Sequence, residues 1–207
     1  SKPVLERDLA YRSGLGWFGK NSCLINQKKG SFFFLGEIYT TLEVSSPKTF
    51  APDRCGTCSR CIDSCPTGAI VADKTIDSRR CISYLTIESR RVPEASLRPL
   101  MGDHFFGCDI CQDVCPWNEK IYGKAKDKTF VTSHEDIIRI LTSSNSELKK
   151  LFQKTALSRT SPAGHRRNAL VVAGNLKLKE CLPHIEPFLD HEYLGELALW
   201  SINEIKK

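Results

Sequence analysis

Eight cysteines fall between Cys55 and Cys115, most of them three or four residues apart, and they constrain this chain more than any other feature. The first run is Cys55-x2-Cys58-x2-Cys61-x3-Cys65-Pro66. The second, Cys108-x2-Cys111-x3-Cys115-Pro116, copies its back half. Such spacing is too local for an ordinary disulfide framework and suits thiolates converging on a metal centre. Metal-binding thiolates imply a reducing compartment, which points to the cytoplasm. The surrounding stretch shows little apolar periodicity. That is expected where metal bonds replace part of a hydrophobic core, since their free energy is then folding free energy.

The first run has the spacing of bacterial ferredoxins, in which the fourth cysteine binds the other of two 4Fe–4S clusters. Three thiolates on one tight loop and a fourth from far away surround a cubane without a long structureless segment. Pro66 keeps the chain from folding Cys65 back towards the first three ligands. The second run lacks its first cysteine, and Cys81 is the available candidate, displaced upstream by a long insertion. The exchange rule then assigns Cys55, Cys58, Cys61 and Cys115 to one cluster, and Cys65, Cys81, Cys108 and Cys111 to the other. Zinc also uses Cys-x2-Cys pairs, but two runs ending in x3-Cys-Pro are unusual for a zinc ribbon. Structural disulfides fit less well still. Cys23 and Cys181 stand alone and read as small buried core residues.

The chain's 207 residues suit one or two domains, and its apolar content suffices for a core. No apolar run approaches the ~20 residues that cross a bilayer. No basic-then-apolar leader is present, and the abrupt start at Ser1 reads as a fragment. Pro3 to Arg12 reads as a helix stopped by Gly14. Gly14 to Asn21 reads as a glycine-rich loop. Ser22 to Asn26 and Ser31 to Thr41 read as strands joined at Lys28-Lys29-Gly30. Residues 45–53 read as a linker. From Asp136 the apolar positions fall at helical spacing. Within that tail, Arg167 to Gly174 resembles Glu196 to Asn203, a repeat of 29 residues. Helices stacked in pairs are the usual meaning of such a period, an ordinary helical bundle being the alternative. The net charge of +6 is modest. Arg79, Arg80, Arg90, Arg91, Arg98, Arg166 and Arg167 are clustered, and Lys124, Lys126 and Lys128 alternate. Such groups neutralise phosphates when they share a face and otherwise make a solvated surface. No Rossmann fingerprint or Walker loop is present, so an electron acceptor must lie before the cysteines or on another protein.

Several blocks resemble the epoxyqueuosine reductases. They are Pro3 to Arg7, Gly14 to Asn21, Phe33 to Ile38, Cys81 to Glu88, and Gly107 to Asn118. The tail around Arg166-Arg167-Asn168-Ala169 is similar to that family's HEAT-like end. The resemblance implies an α+β chain in three parts. Residues 1–50 would be the remnant of a cobalamin-binding α/β domain. Residues 51–120 would form a bacterial-ferredoxin-like module with two 4Fe–4S clusters. Residues 130–207 would form α-helical HEAT-like repeats. It implies two 4Fe–4S clusters and cobalamin as cofactors, with tRNA as substrate, bound at its anticodon stem-loop. An external flavodoxin or ferredoxin system would donate electrons to a monomer that contacts no membrane. The implied reaction removes the epoxide oxygen of epoxyqueuosine at the tRNA wobble position, leaving queuosine. By position, Asn21, Gly36, Ser83 and Asp109 resemble the family's corrin contacts, although turn and capping roles suit them equally. The family's proton-donor Asp would precede Ser1, and Asp8, on the following helix, does not replace it. The resemblance also makes Arg166 and Arg167 candidates for the RNA backbone. A plain ferredoxin-like carrier explains the cysteines but not the Gly16-to-Asn21 block or the tail. A corrinoid reductive dehalogenase lacks such a tail.

Overall fold

The computed structural model describes residues 5–45, 51–123 and 133–207. Helix α1 spans Glu6–Arg12, followed by strands β1 (Trp17–Phe18) and β2 (Leu24–Ile25). Then come α2 (Arg60–Asp63), β3 (Ile70–Ala72), β4 (Thr75–Ile76) and α3 (Ile82–Ile87). Next are α4 (Ile110–Asp113) and α5 (Pro116–Tyr122). The tail holds α6 (His134–Thr142), α7 (Asn145–Phe152), α8 (Pro162–Asn175), α9 (Leu182–Ile185) and α10 (Gly195–Lys206). The chain forms two compact units. One is Ser1–Asp77 with Asp109–Asp127, the other Ser78–Cys108 with Lys128–Lys207. The long insertion between Cys81 and Cys108 therefore belongs with the helical tail.

In the first unit, α1 ends where Gly14 turns at φ +74°. The glycine-rich loop is partly a strand: Trp17 and Phe18 pair antiparallel with Ile25 and Leu24. A Cβ on Gly16 would lie 2.2 Å from the Ile25 carbonyl oxygen, so only glycine permits this approach. The turn after β2 closes with Asn26 facing Gly30, as the Asn26 carboxamide oxygen accepts from the Lys28 and Lys29 amides. The strand expected over Ser31 to Thr41 does not form, and no element is assigned there. Phe34 and Ile38 lie exposed, and no strand among the described residues pairs with this stretch. A strand's backbone groups need a neighbour to bond, and apolar character alone supplies none.

The two cysteine runs fold alike. Ser59 before α2 has φ −122°, ψ 5°, and Asp109 before α4 has φ −115°, ψ 10°. The amides of Asp63 and Asp113 each close one turn onto those residues, at 3.0 and 2.8 Å. Helices α2 and α4 pack together, and Arg60 reaches Glu119 of α5 at 2.8 Å. Proline stands after Cys65 and Cys115, where its missing N–H leaves nothing unpaired.

The second unit is built from capped helices. Ser133, Ser144 and Ser161 cap α6, α7 and α8, and Ser144 with Glu147 forms a full capping box. Ile137, Leu148, Leu170, Ile185 and Leu197 are wholly buried in one core. Helices α8 and α10, which carry the sequence repeat, pack side by side; a Cβ on Gly174 would meet the Trp200 ring at 2.7 Å. Arg98 is buried and binds Glu196 through its two terminal guanidinium nitrogens, at 2.9 and 2.7 Å.

Arg166 and Arg167, the pair the resemblance points to for RNA, are bonded within the protein. Arg167 is fully buried. It donates to the carbonyls of Leu85, Thr86, Ser89 and Arg91 and to the Asn168 carboxamide oxygen. It thereby ties α8 to the end of α3, and burial lowers its pKa. Arg166 bonds Asn145 and the Ser143 carbonyl, both at 2.6 Å, bracing the turn between α6 and α7. Arg167 is thus an internal tie, while Arg166 is half-buried, with two of its nitrogens engaged by the protein. Lys124, Lys126 and Lys128 lie outside the described residues.

Candidate metal centre

Cys55, Cys58, Cys61 and Cys115 line one cavity of about 250 Å³ in the first unit, with Lys20, Asn21, Ile25, Arg54, Pro116 and Trp117. Three thiols come from the loop entering α2. The fourth stands at the start of α5, delivered by the pairing of α2 with α4 and of α4 with α5. No disulfide joins any of the ten cysteines. Among the described residues, no three His, Cys, Asp or Glu gather tightly enough for a single metal ion. Four thiols around a cavity suit a multi-atom cluster better than a zinc ion.

The electrostatics of the thiols point the same way. Burial pushes Cys61 up to about 11, and the Cys111 charge adds to it. Burial raises Cys115 too, opposed by the amides of Trp117 and Asn118. Thiolates crowded in this way are unfavourable until cationic iron compensates them. A further sign is Trp17, whose indole N–H is buried with no hydrogen-bond partner among the described residues. Its ring packs with Ile25 and Cys115, against Cys55 and Trp117. Buried donors are normally paired, and a cluster sulfur would supply the acceptor.

Of the other expected ligands, Cys65 and Cys111 belong to the first unit and Cys81 and Cys108 to the second. The Cys65 sulfur accepts the Ala69 amide at 3.3 Å. Cys81 precedes α3, and its carbonyl accepts the Leu85 amide. Cys108 is half-buried against the helical core. Cys23, which reads in sequence as a lone core residue, hydrogen-bonds Cys111; that bond lowers Cys23 and, ahead of burial, raises Cys111. Nothing in the spacing of the two residues signals this contact.

The four expected corrin contacts are placed differently from one another. Asn21 is buried, donates to the Cys111 carbonyl at 3.1 Å and accepts from the Cys23 amide. Asp109 stands before α4 and accepts from the Gln112 carboxamide at 2.6 Å. Both brace the loop that carries Cys111. Gly36 is exposed in the unassigned stretch, with nothing within 4 Å of its Cβ position. Ser83 is half-buried on α3.

Residues 54–118 match the family described as the 4Fe-4S double cluster binding domain, so the chain is an iron–sulfur protein. An epoxyqueuosine reductase of Francisella cf. novicida is 40% identical over the whole chain and 60% of its own length. That of Escherichia coli is 39% identical over 98% of the chain and 54% of its own length. The structure of the Streptococcus thermophilus epoxyqueuosine reductase superposes with a TM-score of 0.84 at 29% identity, covering 98% of this chain and 55% of that one. A crystal structure of an epoxyqueuosine reductase with an epoxyqueuosine-modified tRNA stem loop gives 0.79 at 27% identity, with 98% and 55% covered. The chain belongs to the epoxyqueuosine reductase family, and it spans about half the length of the curated relatives it matches.

Proposed function

We propose that this chain is the electron-transfer and RNA-facing part of an epoxyqueuosine reductase acting in the cytoplasm. The reaction is epoxide plus two electrons and two protons to alkene plus water, at the wobble nucleoside of a tRNA. Two 4Fe–4S clusters, once bound, supply one-electron transfers from an external donor, and cobalamin supplies the centre that reduces the epoxide. The observation that carries the reading is the meeting of Cys115 with Cys55, Cys58 and Cys61 around one cavity. It is the cross-run contribution that ligand exchange requires. The second set, Cys65, Cys81, Cys108 and Cys111, rests on spacing and, for Cys81, on counting. Asn21 and Asp109 act by holding the Cys111 loop, and Ser83 and Gly36 remain the candidates for corrin contact. The paired helices α8 and α10 support a HEAT-like reading of the tail.

Anaerobic reconstitution tests this proposal. About eight iron and eight sulfide per chain are expected. Cys115→Ser should disturb the cluster of Cys55, Cys58 and Cys61, and Cys65→Ser the other one, as read by paramagnetic resonance of each. Tightly held zinc with no iron would sink the reading. In the full-length protein, conversion of epoxyqueuosine tRNA, followed by mass spectrometry of the nucleoside, should depend on both clusters.

A further inference from the structure

The second unit contains a cavity of about 550 Å³ whose wall includes Arg90, Arg159, Arg167, Ser89, Ser161 and Tyr193. Three arginines line it against one acidic residue, Glu88. Glu88 pairs with Arg159, but the two side chains are 47% and 64% exposed. Such a pair is worth little and leaves Arg159 able to turn to another anion. Arg167, the buried one, is bonded to neutral acceptors, so its charge is not cancelled by any carboxylate bonded to it. A buried cation held only by dipoles raises the potential of the cavity it borders. Arg90 is exposed, and its carbonyl is pinned by the Tyr193 hydroxyl at 2.8 Å, which holds the loop that carries it at the rim.

Hydroxyl groups complete the lining. The Ser161 oxygen accepts the Gly164 amide at 3.1 Å, which leaves its O–H to donate outward. Thr160, by contrast, donates to the Ile87 carbonyl at 2.6 Å and fixes the wall itself. Ser161 also begins the fourteen-residue helix α8, whose positive end adds to the arginines. The cavity is larger than one phosphate needs, and its Ile87 and Ala163 wall offers an apolar face to a sugar.

We propose that this cavity receives one backbone phosphate of an RNA strand with its ribose, held by Arg90, Arg159 and Ser161. Arg167 acts from behind as a fixed charge. The site thus takes the role that the sequence suggests for Arg166 and Arg167, of which Arg167 is buried and Arg166 is bonded to the turn between α6 and α7. The proposal rests on the reading of the chain as an RNA-modifying protein.

The test uses an RNA hairpin carrying a tRNA anticodon loop, with binding followed by fluorescence anisotropy at several salt concentrations. In the Arg90→Ala/Arg159→Ala chain, binding should weaken roughly tenfold near physiological salt, and the slope of log affinity against log salt should fall by about one, the share of a single phosphate. Arg90→Lys/Arg159→Lys should restore most of the slope, since the charge returns. Lys179→Ala/Lys206→Ala removes equal charge elsewhere on the unit and should leave affinity within about twofold of the unaltered chain. An unaltered chain that binds no hairpin overturns the RNA reading itself. A chain that binds well, and equally well without Arg90 and Arg159, overturns this site alone. Equal weakening in the Lys179/Lys206 variant likewise overturns the site, since any two positive charges would then serve.

Discussion

The two units hold themselves together by different means. The second has an apolar core running through α6, α7, α8, α9 and α10, with Leu148, Leu170, Ile185 and Leu197 wholly buried. The first has a small core of Trp17, Ile25 and Cys115, with Cys55 and Trp117 packed against it. Two of those five residues are expected metal ligands. One unit is therefore a hydrophobic fold that carries polar devices. The other is a set of short turns whose cohesion awaits the metal. Short helices such as α2 and α4, each of four residues, are not stable alone.

Removing the iron should break this comparison or sharpen it most. Metal sites that fold their proteins contribute on the order of 10 kcal/mol. Stripping the clusters with a chelator should expose residues 51–77 and 109–123 to limited proteolysis, while 133–207 stay protected and helical. Simultaneous loss of both regions would show that the second unit leans on the first.

The next largest effect belongs to Arg167. Truncation to Ala empties a fully buried site and takes a donor from four carbonyls, of which Thr86 and Arg91 keep other partners, so a loss of roughly 3–5 kcal/mol is expected in denaturant unfolding of the second unit. Lysine should rescue little, because it cannot match the fork of bonds. Arg166→Ala should cost about 1 kcal/mol, and equal losses at the two positions would contradict the burial difference.

His165 makes the second unit sensitive to acid. It lies between Phe105 and Phe152, with ring centroids 5.9 and 4.5 Å away, and burial pulls its pKa down to about 4. Unfolded histidine titrates near 6.5. Between those values the unfolded chain binds the proton and the folded chain does not. Stability is therefore full above about pH 6.5 and falls as the pH drops towards 4, by on the order of 3 kcal/mol. His165→Phe should flatten that slope, as followed by thermal unfolding across the range. A slope unchanged in the variant would assign the acid sensitivity to another group.

The smallest effect lies at Trp17. Phe keeps an aromatic ring and drops the unpartnered N–H. Iron should then leave faster under a chelator, by a margin of about 1 kcal/mol in retention. Equal rates would leave the buried donor without a partner in the loaded protein as well.

The cysteine spacing alone carried the cluster chemistry, because ligand geometry is local: three thiols on one loop can be read without knowing the fold. Gly14 as the stop of α1 and the helical tail were legible for the same reason, since caps and 3.6-residue periodicity act over a few residues. The resemblance of Arg167–Gly174 to Glu196–Asn203 also foretold two helices that pack together. Tertiary structure decided everything that depends on a neighbour. The apolar stretch Ser31 to Thr41 is no strand here, because its backbone has no strand among the described residues to bond. By its charge Arg167 reads as an RNA contact, yet its surroundings make it an internal tie, since burial is a property of the fold and not of the residue. Cys23 met Cys111, and Arg90 met Arg159 around a cavity, through contacts between positions far apart in the chain, which no local spacing encodes.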